Sequence, residues 1–185
     1  MDKKDAPDIS YQVETYIILL LGAKDEQPLP SRLHLQKELF MLSKARPVIN
    51  DIFRFEKHYE GPYSQILNES LDEPAYWPNA YTSDESGIHL TAEGKEKFTH
   101  IVTEMGDTAR FKALLGVLRL IRSLYDNLSK DELLLLIYDE YEEYIEKSKE
   151  YDRINKNRRV LSNNLRKKGS ITQGRYDELM TRNNA

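Results

Sequence analysis

Four histidines, His34, His58, His89 and His100, are the first residues to weigh for chemistry. A zinc site takes three or four ligands, drawn from histidine, cysteine and carboxylates. No two of these histidines have the close helical spacing such a site uses, and the chain has no cysteine. His34 and Glu38 sit one helical turn apart, but two residues do not make a site. Ser64 carries a hydroxyl, yet the sequence shows no base to activate it as a nucleophile. The carboxylates are scattered along charged helical faces rather than paired. The chain is therefore expected to be no enzyme and to use no cofactor and no metal.

Cations raise a second possibility. The net charge is −4 over 185 residues, but it is split unevenly. Residues 1–150 hold 18 Lys and Arg against 28 Asp and Glu, whereas residues 151–185 hold 9 against 3. A uniformly basic nucleic-acid binder is excluded, and a basic tail on an acidic body remains. Arg153, Lys156, Arg158, Arg159, Arg166, Lys167 and Lys168 form that tail, with Asn155, Asn157, Asn163 and Asn164 among them. Cations and amides of this kind suit phosphate contacts. The competing reading is a solvated helix face.

The elements that position these residues are mostly helical. Val13, Ile17, Leu20 and Leu21 predict a helix from Ser10 to about Gly22, after a disordered lead over 1–9. Ser31 caps a second helix carrying Leu35, Leu39 and Leu42. Residues 52–59 read as extended chain. Pro62 suits the first turn of a third helix, with Ile66, Leu67 and Leu71 on its buried side and Pro74 beyond its end. Residues 75–91 read as a hairpin turning at Ser83 to Gly87, with Tyr76, Trp77 and Tyr81 packing it against the helices or offering an aromatic platform. Thr91 caps a helix with glycine, rather than the capping-box glutamate, at its third position. Phe111, Leu114, Leu115, Leu118 and Ile121 predict another helix from about 108 to 124.

Between Ser129 and Lys168 there is neither glycine nor proline. One continuous helix is expected there, reaching about 60 Å, with a short last helix around Tyr176, Leu179 and Met180. Asp131 to Glu150 is acidic and Tyr151 to Lys168 basic, so two copies of such a helix would complement each other antiparallel. The alternative is that the helix folds back on its own domain.

Helix, helix, hairpin, helix is the order of a winged-helix domain. Its recognition helix would be residues 62–73, which contain Glu69, Asp72 and Glu73 and no Lys or Arg. The wing adds Asp84 and Glu85. DNA affinity comes largely from cations meeting phosphates, so this face has the wrong sign.

Leu35-Gln36-Lys37 with Leu39-Phe40-Met41-Leu42, Tyr59 with Gly61-Pro62-Tyr63-Ser64, and Leu90-Thr91 with Gly94 follow one another in this order. On these residues the first hundred positions resemble the Panacea/SocA-like family of small prokaryotic and phage-associated proteins, and its YwgA-like relatives. The resemblance implies a helical, winged-helix-like domain that serves as the antitoxin or accessory partner of another protein, without enzyme activity or cofactor. Glu60 is an extra residue in the family's loop, and the tail from Ser129 is longer and more polar than the family core requires. Leu165 to Thr172, followed by Tyr176 and Leu179, resembles a short C-terminal domain of the SHOCT type, which would imply oligomerisation.

The expected architecture is thus mostly α: a winged-helix-like domain with a small β-hairpin over 10–128, and a C-terminal helical extension over 129–185. The expected function is a non-catalytic protein-interaction or regulatory module, antitoxin-like or accessory to a defence system. Its partner, a toxin or defence effector, would meet Gln36, Lys37, Gly61, Pro62, Tyr63 and Ser64. A structural role for the same six residues is the alternative. A homo-oligomer through residues 129–168 is a further expectation. The other functional reading is a DNA-binding transcriptional regulator that uses the basic C-terminal helix. No apolar run approaches the roughly 20 residues of a membrane span, and the opening residues do not lead into a signal peptide; a cytoplasmic protein is expected.

Overall fold

The computed structural model describes residues 8–24 and 27–182. In chain order the elements are α1 (Ile9–Gly22), α2 (Arg32–Ala45), α3 (Asn50–Phe53), β1 (Glu56–His58), β2 (Gly61–Tyr63), α4 (Gln65–Asp72), β3 (Tyr81–Asp84), β4 (Gly87–Leu90), α5 (Ala92–Met105), α6 (Ala109–Tyr125), α7 (Lys130–Glu140), α8 (Tyr151–Lys156), α9 (Arg158–Lys167) and α10 (Gln173–Thr181). The protein is mostly helical, with two small antiparallel hairpins. No helix among the described residues is long and apolar enough to cross a membrane. The chain divides into two compact units: residues 1–55 with 64–123, and residues 56–63 with 124–185.

In the first unit α1 is buried over most of its surface, through Val13, Ile17, Ile18, Leu19, Leu20 and Leu21. Its second half, Ile17 to Leu21, is apolar and buried on every side, as befits a segment at the centre of a core. Asp8 caps it and Ile9 begins it, so the expected lead ends earlier; its residues 1–7 lie outside the described residues. Ser31 caps α2 by accepting from the His34 N–H. Tyr16, Phe40, Phe53 and Phe55 pack edge to face or tilted, which is the favourable arrangement for ring quadrupoles. β3 and β4 pair with Tyr81 opposite Leu90 and Asp84 opposite Gly87, and Leu29 bridges to Ile88 on the free side of β4. Thr91 caps α5. The glutamate of a capping box is replaced by Gly94 for a steric reason: a Cβ there would lie 1.8 Å from the Ala80 carbonyl oxygen.

Two buried charges connect these elements. Glu14 of α1 is fully buried, and its carboxylate accepts from the backbone N–H groups of Ala75, Tyr76 and Trp77. It thereby anchors the segment that enters β3. Arg122 of α6, also fully buried, donates to the carbonyls of Leu20 at 3.0 Å and Gln27 at 2.7 Å. Its Nε lies 3.9 Å from the buried carboxylate of Glu38 on α2. The guanidinium meets buried carbonyls in the last turn of α1, where a positive charge also complements the helix dipole. One side chain thus ties α1, α2 and α6.

Three expectations are corrected here. Pro62 lies in β2, not in a helix; α4 starts at Gln65 with Ser64 as its cap. Ile52 and Phe53 are helical, so the extended chain is confined to β1 at 56–58 and its flanks. Tyr76 and Trp77 precede the hairpin rather than forming it, and Ser83 lies within β3.

The largest correction concerns 129–168, which is not one helix. Ser129 starts α7 with a full capping box involving Glu132. The helix ends at Glu140, a 3₁₀ turn follows at Glu142–Tyr144, and α8 begins only at Tyr151. Charge and capping explain the break. Asp139, Glu140, Glu142 and Glu143 crowd the C-terminal end of α7, where negative charge is unfavourable. Ser148 then offers its Oγ to the N–H groups of Glu150 and Tyr151, a local bond that competes with a continuing helix. Asn157 separates α8 from α9. Gly169, in the left-handed region, closes α9 with the Ser170 N–H bonding to the Leu165 carbonyl, a Schellman ending.

The second unit also claims the β1–β2 hairpin, so it is not confined to the tail. His58 pairs with Gly61 across the hairpin, and a Cβ on Gly61 would lie 3.3 Å from the Tyr138 ring and 3.5 Å from Leu134. The Lys149 N–H donates to the Tyr59 carbonyl. Lys57 pairs with Glu146 and Lys130 with Glu60.

Arg122→Met removes the guanidinium from Glu38, which has no access to water, and from the carbonyls of Leu20 and Gln27. Breaking one partner from a buried pair costs about 3–5 kcal/mol. Urea unfolding should show a loss of this size for Arg122→Met, and a smaller loss for Arg122→Met combined with Glu38→Leu.

Candidate functional site

The six residues read as a partner surface are largely internal. Gln36 is buried on α2, and its side-chain amide bonds the Ser64 backbone from both ends: Nε2 donates to the Ser64 carbonyl at 3.0 Å and Oε1 accepts from the Ser64 N–H at 2.8 Å. Ser64 is fully buried, donates its hydroxyl to the Phe53 carbonyl and accepts from the Leu67 N–H. Lys37 is 2% exposed. Gly61 and Pro62 are buried as well, and they belong to the other unit with half-buried Tyr63, whose ring stacks on His58 at 4.7 Å. A surface that meets a partner must be accessible, so the docking role given to Gln36, Lys37, Gly61, Pro62 and Ser64 is corrected. The side-chain polar atoms of Gln36 and Ser64 are spent on the chain's own backbone.

The histidines are spread through the fold. His34 Nδ1 lies 2.9 Å from the Ser31 hydroxyl, His89 faces Asp84 at 3.7 Å, and His100 pairs with Glu104. Among the described residues no three His, Asp or Glu side chains converge as a metal site would need. Trp77 is half-buried against Tyr11, with centroids 4.9 Å apart, and Lys97 lies over its ring. Tyr81 is buried and donates to the Ser70 carbonyl.

The basic tail divides into two groups. Arg158 is buried and pairs with Asp139 at 2.7 Å. Lys168 reaches Glu132 at 2.7 Å and the Asn127 carbonyl at 2.9 Å. Arg153 forks onto Asp131 at 2.5 and 2.7 Å, and this guanidinium holds the Asp131 carboxyl below the usual carboxylate range; Arg153 also meets Glu150. Arg175 and Arg182 converge on the same buried Asp139. Of these three tail cations Arg158 is buried, whereas Arg153 and Lys168 keep part of their side chains exposed while pairing with acids of their own unit. The complementarity expected between two copies of residues 129–168 is satisfied inside one chain, between α7 and the helices that follow it. Lys156, Arg159, Arg166 and Lys167 stay exposed.

A different surface emerges on α6. Phe111, Leu115, Leu118, Ile121 and Arg122 form its buried side. On the opposite side Ala113, Gly116, Val117 and Leu120 follow at helical spacing; the first two are exposed, Val117 is half-buried and Leu120 is 57% exposed. A Cβ on Gly116 would meet no atom within 4 Å. Arg110, Lys112 and Arg119 are exposed beside this stripe, and residues 109–125 contain no acid. Sequence reading found the buried side and missed this one. The signal was present: apolar residues occupy more of α6 than one stripe, and every charge on it is positive.

The chain matches no protein-family model, no curated protein and no solved structure. The roles above rest on the geometry alone. Gly61 offers a direct check, because its φ of +79° suits glycine and its flank is closed by Tyr138. Gly61→Ala should cost about 1–2 kcal/mol of stability, read as a lower urea midpoint. An unchanged midpoint would return Gly61 to a binding role.

Proposed function

We propose that the chain is a non-catalytic protein-interaction module that captures an amphipathic helix of another protein on the exposed side of α6. The single observation that carries this reading is the apolar stripe Ala113, Gly116, Val117 and Leu120, flanked on α6 by Arg110, Arg119 and Lys112, the last of which lies 3.9 Å from Asp107. A helix that is apolar on two sides asks for a second partner. Gly116 lets the backbone of that partner approach closely, and Leu120 supplies a projecting anchor. Charge selects the partner's character. Arg110, Lys112 and Arg119 favour a helix with acidic flanks and oppose a second copy of α6, which would bring cation against cation.

Unit one is read as winged-helix-like. The succession α2, α4, the β3–β4 hairpin and α5 supports that reading, and the acidic residues on α4 turn it away from DNA toward protein. The resemblance to Panacea/SocA-like proteins adds the biological setting of an antitoxin-like or defence-accessory subunit whose partner is a toxin or effector.

Affinity capture from native cells, read by mass spectrometry, compares the parent chain with Leu120→Glu and with Lys112→Glu combined with Arg119→Glu. One protein carrying an acidic-flanked amphipathic helix should be retained by the parent and depleted at least tenfold by both variants, while thermal unfolding of the variants stays unchanged. Capture indifferent to all three substitutions, no specific capture, or self-association of the chain through α6 would overturn the proposal.

A further inference from the structure

The internal pairing of the tail leaves a remainder with a definite geometry. Arg153, Arg158 and Lys168 are held by acids of the same unit. Lys156, Arg159 and Lys167 make no ion pair among the described residues, and Arg166 rests its guanidinium over the Tyr176 ring at 5.0 Å. Positions 159, 163 and 166 recur at four and three residues along α9, with 160 and 167 beside them, on the side opposite buried Leu161, Ser162 and Leu165. The exposed side of α9 is thus Arg159, Val160, Asn163, Arg166 and Lys167, and Lys156 precedes it at the end of α8. From Arg159 to Lys167 the cations of α9 span about 12 Å of helical rise. Asn163 accepts from the Tyr176 hydroxyl through Oδ1, which turns its amide nitrogen into a donor beside the cations. Asp152, one turn before Lys156, is the acid on the same side of α8; on α10, Asp177 receives Gln173 and Glu178 holds Arg175.

From this geometry we infer that the exposed side of α8 and α9 binds the phosphodiester backbone of nucleic acid. Several features point there rather than to other polyanions. A stiff row of guanidinium and ammonium groups interleaved with an amide donor matches what backbone contacts use. A membrane-surface helix needs a broad apolar side to insert, with Trp, Phe or Leu; here the apolar side of α9 is consumed by the core, and Val160 alone projects. The contact would be electrostatic and independent of base sequence. It lies in the second unit and stands or falls separately from the docking proposed for α6.

The test is fluorescence anisotropy across a salt series with three probes: labelled duplex DNA, single-stranded RNA of equal length, and phosphatidylserine vesicles. Four phosphate contacts predict a slope of log affinity against log salt of about −3 to −4 for duplex DNA, somewhat shallower for a single strand. Each of Arg159→Ala and Lys167→Ala should flatten the slope by about 1. The combined Arg159→Ala, Arg166→Ala and Lys167→Ala chain should bind at least tenfold more weakly at low salt. Lys147→Ala, an equal change of charge elsewhere in the unit, should leave binding as it is. DNA and RNA bound alike would assign general backbone recognition, and preference for one would name its nucleic acid. Absence of low-salt binding, a slope unmoved by the single variants, or tighter binding to vesicles than to either nucleic acid would overturn the inference.

Discussion

Asp139 is a carboxylate without access to water on which three arginines converge, and the second unit is organised around it. Arg158 arrives from α9, Arg175 from α10 and Arg182 from just beyond α10. An isolated buried charge would be prohibitive, and even a paired one needs excellent geometry to offset its desolvation. Once Asp139 is fixed by the leucine-rich packing of α7, the helices that bear its partners have little freedom in how they lie. Lys168 on Glu132 and Arg153 on Asp131 set the same arrangement from the other end of α7. The distribution of charge on the surface follows from this: whichever cations face α7 are neutralised, and the others face solvent.

The first unit uses buried polar groups in the same manner. Glu14 gathers three consecutive backbone N–H groups that belong to no strand or helix, and so satisfies donors that burial would otherwise penalise. Gln36 does this for Ser64 with both ends of one amide, and Arg122 does it for the end of α1. Apolar packing gives each unit its core, while these few side chains fix how the loops between the helices run. The surfaces left over are then simple: an apolar stripe edged with cations on α6, and a cationic row on α9.

Much of this was legible in the sequence, where the signals were local. Ser31, Thr91 and Gly169 mark helix boundaries through bonds that span a few residues, and the alternation around Ile88 to Leu90 marks a strand. The failures have physical causes. Residues 129–168 lack helix breakers, but like charges at the end of α7 and the hydroxyl of Ser148 end the helix without them. Pro62 suits a helix start, yet the left-handed Gly61 before it builds a hairpin instead. Gln36 and Ser64 look like surface residues because their polar atoms are visible and their partners are not; the bonds between them cross 28 positions. The complementarity of acidic and basic halves was plain, but composition does not say whether opposite charges meet within a chain or between chains.

The chain contains no native cysteine, so paired spin labels can be placed without background. With labels at Asn127→Cys and Lys167→Cys, electron–electron resonance distances read directly whether the tail folds on itself. The Lys168 ammonium touches the Asn127 carbonyl, so the account predicts a distance at the short end of the method's range. A population near 60 Å, the length of about 40 residues of continuous helix, would contradict it.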